Sequence, residues 1–148
     1  IKDVQLYGKS IGKAIHEQSV TLLLEDEIDI SRGDMIVNSE EIPAQAKQVE
    51  AIVCWLSETP LSPARTYWLR HTTREVKAKV ANIAHRVDIN SLANEPASTL
   101  AMNDIARLTL KLAQPVFADN YADSRATGAF ILIDESTNNT VGAGMIVG

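Results

Sequence analysis

The amino-acid sequence predicts an all-β protein of barrel or sandwich type, and three observations carry that reading. Residues 74–83 set Val76, Ala78 and Val80 against Glu75, Lys77 and Lys79. Residues 105–113 likewise set Ala106, Leu108, Leu110 and Leu112 against Arg107, Thr109 and Lys111, which is the two-residue period of a strand with one buried face. The remaining apolar runs are short and punctuated by Gly, Pro and Asn, and no stretch sustains a helical period.

Taken in order, a strand-like pattern begins close to Ile1, and residues 20–24 form an apolar run closed by Glu25-Asp26-Glu27, as a short strand leaving a barrel would be. Ser31-Arg32-Gly33-Asp34 has turn chemistry, because Gly tolerates positive φ while Ser and Asp bond their own backbone. Met35-Ile36-Val37 then resumes as a strand. Residues 38–48 are polar around Pro43 and read as a linker. In residues 49–56 both faces are apolar, Val49, Ala51, Val53 and Trp55 on one and Ile52, Cys54 and Leu56 on the other, which predicts a strand buried on both sides. Pro60 and Pro63 force a loop, and Tyr67-Trp68-Leu69-Arg70 restarts the pattern. Residues 91–103, with Pro96, read as loop with one turn of helix. Residues 130–134 and 140–147, joined by the turn formers of 135–139, predict a hairpin.

The totals bound the function. At 148 residues and 45% hydrophobic, the chain can build one good core with a smaller satellite. A net charge of -5 with both signs interspersed describes a cytoplasmic surface that does not favour nucleic acid. No run approaches a membrane-spanning helix, and no secretory signal opens the sequence. The single cysteine, Cys54, fits a reducing compartment. The missing initiator Met suggests a piece of a longer polypeptide.

Short motifs yield to simpler explanations. Gly8-Lys9-Ser10 lacks the earlier glycine of a phosphate-binding loop, since Asp3 stands there, and reads as a turn. Gly142, Gly144 and Gly148 lack dinucleotide spacing and suit close approach within a barrel. Arg32-Gly33-Asp34 and Asn138-Asn139-Thr140 would matter for adhesion or glycosylation only in an exported chain. His16, His71 and His85 stand far apart with no ligand spacing around them, and no nucleophile elbow occurs. Arg65, Arg70, Arg74, Lys77 and Lys79 lie near Tyr67 and Trp68 and could present cations beside stacking rings. A solvated strand face accounts for the same alternation and is preferred.

Longer stretches carry a family resemblance. Residues 24–34, Leu-Glu-Asp-Glu-Ile-Asp-Ile-Ser-Arg-Gly-Asp, resemble the end of the second domain of the sulfate adenylyltransferase large subunit. Cys54-Trp55-Leu56-Ser57-Glu58-Thr59-Pro60-Leu61 resembles the opening of its third domain, and Tyr67-Trp68-Leu69-Arg70-His71-Thr72-Thr73 the strand that follows. Asn103-Asp104-Ile105-Ala106 and Gly128-Ala129-Phe130-Ile131-Leu132-Ile133-Asp134 continue in the same order. The finish, Thr140-Val141-Gly142-Ala143-Gly144-Met145-Ile146, is shared with the third domain of elongation-factor-Tu-like GTPases.

The resemblance implies antiparallel β-barrels of the translation-factor GTPase domain II and III type. Residues 1–40 would be a partial domain II barrel, 41–48 a linker and 49–148 the domain III barrel. It implies a parent enzyme that transfers an adenylyl group from ATP to sulfate, giving adenosine 5′-phosphosulfate and pyrophosphate, coupled to GTP hydrolysis and using Mg. Adenylyl transfer would belong to a small catalytic subunit and GTP to an N-terminal domain, so no catalytic, cofactor-binding or metal-binding residue is assigned in this segment. The expected partners are that small subunit and the GTPase domain, with no membrane. Exposed strand edges on an incomplete barrel would promote self-association. Two rival readings remain: domain II and III of a translation-type GTPase contacting tRNA, and a stand-alone interaction module.

Overall fold

The computed structural model describes residues 1–40 and 42–148; residue 41, at the start of the expected linker, lies outside them. The chain divides into two compact units, Ile1–Ser31 and Arg32–Gly148. Ten strands and no helix occur among the described residues.

The first unit holds β1 (Asp3–Leu6), β2 (Lys9–Ser10) and β3 (Thr21–Leu23) in an antiparallel sheet of order β2-β1-β3. Tyr7 and Gly8 both have positive φ, 48° and 75°, the signature of a primed two-residue turn whose twist matches the flanking strands. Gly8-Lys9-Ser10 is thus the end of a hairpin turn and the start of β2. The Asp3 carboxylate takes bonds from the Gln5 amide and the Ser10 hydroxyl, which hold its pKa below the usual value and tie β1 to β2. None of the described residues of this unit is buried.

The second unit contains β4 (Gln45–Trp55), β5 (Thr66–His71), β6 (Arg74–Val87), β7 (Asn94–Glu95), β8 (Ile105–Phe117), β9 (Ala129–Asp134) and β10 (Thr140–Ile146). Strand order is β5-β9-β10-β4-β8-β6-β7, and β5 also pairs with β6. That last pairing, Thr66↔Lys79 to His71↔Arg74, closes six strands into an antiparallel barrel, with β7 riding on the end of β6. Closure removes the two long edges an open sheet would leave.

The two-residue periods fill the barrel. Val49, Ala51, Val53 and Trp55 of β4 meet Ala106, Leu108 and Leu110 of β8, Val76, Ala78 and Val80 of β6, and Phe130 and Leu132 of β9, all buried. Bulges between Val80 and Asn82 and between Ile83 and His85 bend the long β6 around this core. The predicted hairpin is β9–β10, turned by residues 135–139.

Four expectations are corrected. Residues 49–56 are not buried on both sides: the second face is half-buried at Ile52 and Cys54, and Leu56 is 45% exposed, because a barrel wall has only one interior. Met35-Ile36-Val37 forms no strand, and Ile36 and Val37 are exposed, since no neighbouring strand supplies a ladder. Strand β4 begins at Gln45, inside the stretch read as linker. Residues 91–103 hold the short β7 and turns instead of a helical turn. Just before them the Asp88 carboxylate accepts the N–H groups of Asn90 and Ser91 and its carbonyl that of Leu92, a single turn that runs straight into β7 and is not continued.

Candidate docking surfaces

Both rims of the barrel are plugged by loops. At the rim where β4 ends, the Trp55 indole N–H donates to the Thr59 carbonyl at 2.9 Å, and its ring meets Tyr67 edge to face with centroids 5.6 Å apart. The Tyr67 hydroxyl accepts the Ser62 N–H at 3.0 Å. The proline-broken loop therefore folds back over the core and buries Leu61, whose N–H donates to the carbonyl of Leu100, itself buried. The Thr99 hydroxyl donates to the Leu61 carbonyl at 2.6 Å. Burying each leucine contributes about 1.5–3 kcal/mol, so the two side chains hold the lid more firmly than any one of its hydrogen bonds at about 1 kcal/mol.

At the other rim, His71 is buried with Nε2 2.6 Å from the Thr127 carbonyl oxygen. Gly128 lies so close to Tyr121 that a Cβ would stand 2.4 Å from its Cα, so only glycine lets the loop before β9 seat here. His16 is exposed in the first unit and His85 half-buried on β6. Among the described residues, no group of His, Cys, Asp or Glu could hold a metal ion.

On the outer wall, three of the five basic residues noted in the sequence are matched. Arg65 pairs with Asp134 at 3.3 Å, Arg70 with Glu75, and Lys77 with Glu135 at 2.7 Å. Lys77 also stands 5.2 Å from the centroid of the Trp68 ring and takes one of its faces, while Tyr67 is buried. The two exposed pairs, Arg70–Glu75 and Lys77–Glu135, contribute about 0–1 kcal/mol each, whereas Asp134 is buried. Asp134 gathers the β9–β10 turn through the hydroxyl and N–H of Ser136 and the N–H of Thr137. The Ser136 hydroxyl is the leading reason its carboxyl titrates below the usual range.

The remaining cations, Arg74 and Lys79, flank a seam that sequence reasoning missed. Pairing of β6 with β8 runs from Val87↔Ile105 to Ala78↔Leu112, with Lys79 directly opposite Lys111, and no pair continues beyond it. A concavity of ≈ 370 Å³ lies there, lined by Lys77, Lys79, Lys111 and the apolar Ala78, Leu112 and Ala113. Another, of ≈ 520 Å³, lies farther along the same strands at Arg74 and Gln114, bordered by Arg32 and Gly33 of the predicted turn. The only linear signal was that Lys79 and Lys111 point outward; their apposition depends on register between distant strands.

A closed six-stranded antiparallel barrel with plugged rims, in an all-β chain carrying a further small sheet, defines a β-barrel module with, among the described residues, no catalytic cleft as its centre. Its fold matches the crystal structure of Sup35 complexed with GDP at a TM-score of 0.85 and 18% identity, covering 99% of this chain and 36% of that one. Residues 48–147 match the GTP-eEF1A C-terminal domain-like family, and the chain belongs to it. It is 44% identical over 147 residues to the bifunctional enzyme CysN/CysC of Rhodopirellula baltica, covering 99% of this chain and 23% of that protein. It is also 44% identical over 147 residues to sulfate adenylyltransferase subunit 1 of Alteromonas mediterranea, covering 99% of this chain and 31% of that one. The chain thus spans under a third of the length of these relatives.

Proposed function

We propose that this chain is the barrel region of a sulfate adenylyltransferase large subunit, working in the cytoplasm to position a GTPase domain against the small catalytic subunit and contributing no reacting group of its own. The observation that carries the reading is the 44% identity to subunit 1 along nearly the whole chain. The architecture gives it a physical basis. A nucleotide switch is useful only if its two states make different contacts elsewhere, and a closed, plugged barrel can transmit a rotation without deforming. The residues that carried the family resemblance support the same role: Trp55, Thr59 and Leu61 build the lid of one rim, and Gly128 seats the loop of the other.

The test is retention of the small subunit by the full large subunit and by a version lacking these barrels. Loss of retention on deletion is the expected result, and undiminished retention overturns the docking role. The 148-residue chain by itself should release no pyrophosphate from ATP and sulfate. Turnover above background would overturn the non-catalytic part.

A further inference from the structure

The seam between β6 and β8 is an interruption in an otherwise closed wall. Residues 74–77 of β6 pair with β5 on one side and with no strand on the other: the β6–β8 ladder stops at Ala78↔Leu112, and Gly33 packs against Arg74 at the far end of the gap. Strand β8 leaves the ladder through a bulge against β4: its residues 112–115 lie opposite residue 47 alone. Pro115, in that bulge, has no N–H to offer. Across the gap the side-chain contact is a weak one, Arg74 Nη2 to Gln114 Oε1 at 3.5 Å.

At its Arg74 end the gap carries Asp34 and Glu75 beside the arginines, whereas its lysine end has no carboxylate in its lining among the described residues. Lys79 and Lys111 face each other across the last rungs, and neither makes an ion pair among the described residues. Like charges directly opposed on neighbouring strands are unfavourable unless something negative lies between them. The chain as a whole is acidic, at -5, which makes a local excess of cations more distinctive. Between the lysines the floor is apolar, formed by Ala78, Leu112 and Ala113.

We propose that this seam docks an extended, carboxylate-rich segment of a protein partner, laid along the free side of β6. An added strand would reach the backbone of residues 75–77 beyond Gly33, set alternate carboxylates beside Lys79 and Lys111, and rest its other side chains on the apolar floor. Lysines on an open edge also deter indiscriminate pairing. The two effects are one selection, since only a strand carrying negative charge can approach. Nucleic acid fits less well: one face of the Trp68 ring is taken by Lys77, and net negative charge opposes a polyphosphate.

The probe is a fluorescein-labelled peptide of about six residues, the length of an average strand, in which glutamate alternates with valine. Binding to the 148-residue chain is followed by anisotropy, with amide shift changes mapping the site. The acidic peptide should bind, a lysine-for-glutamate version should not, and shifts should centre on residues 74–79 and 111–114. The exposed double substitution K79E/K111E should weaken binding by about tenfold or more, as loss of close charge pairs does. K79A/K111A should weaken it less, and an unchanged melting transition keeps each variant interpretable. Equal binding of both peptides, or binding indifferent to K79E/K111E, overturns the proposal. So does an oligothymidylate that binds at the seam more tightly than the acidic peptide.

Discussion

Phe130 occupies the space in which residue 144 would carry a side chain: a Cβ on Gly144 would lie 2.2 Å from Cζ of that ring, and the two residues are paired across β9 and β10. The glycine admits an aromatic ring into the barrel, a closer account than the backbone approach its sequence position suggested. Gly144→Ala is expected to cost about 1–3 kcal/mol through overpacking. In a Phe130→Leu background the added methyl should cost much less, and urea titration of the four-protein cycle measures the difference. Strict additivity would show that the ring is not the obstacle.

Thr72, in the tight turn between β5 and β6, has φ of 52°, a conformation that a β-branched residue adopts at a penalty. Relief of the left-handed strain, about 1–2 kcal/mol, outweighs the extra freedom glycine gives the unfolded chain, about 0.5–1 kcal/mol. Thr72→Gly should therefore raise stability by roughly 0.5–1 kcal/mol, read as a higher denaturant midpoint at constant slope. Thr73, whose φ is not positive, provides the control, and Thr73→Gly should lower the midpoint.

The Asp134 carboxyl titrates below its ordinary value of 3.8, chiefly because the Ser136 hydroxyl bonds the ionised form. A depressed folded-state pKa means that this group's contribution is complete above the unfolded value and is lost as pH falls through the folded one. Asp134→Asn should therefore be less stable than the parent at neutral pH, with the gap narrowing once pH drops below about 4. Urea midpoints across pH 2 to 7 test this, and a gap that stays constant through the acid range would refute it.

Much of the barrel was readable because its strands declare themselves locally. The alternation at Val76-Ala78-Val80 and at Ala106-Leu108-Leu110 needs only one buried face, and the β9–β10 hairpin needs only a run of turn formers between apolar segments. Met35-Ile36-Val37 looked equally apolar and forms no strand, since hydrophobicity invites a ladder only where another strand is present to complete it. Closure through β5 and β6, and the break in pairing beyond Ala78, depend on register between segments distant in sequence. The Cys-Trp-Leu-Ser-Glu-Thr stretch pointed to a family, but its physical purpose, a lid pinned from Trp55 to Thr59, required coordinates. The basic stretch was rightly read as largely a solvated face, yet the one cation that changes its meaning, Lys111, lies on another strand.

Strands β4 and β10 are antiparallel neighbours, with Ala51 opposite Ile146 and Glu50 bonded to both Val147 and Gly148. The peptide consequently arrives and departs on one side of the barrel, as a handle is fixed to one side of a cup. A pull on those two neighbouring strand ends is felt on one side of the barrel alone, and the rim roofed by Leu61 and Leu100 lies at the far end of β4.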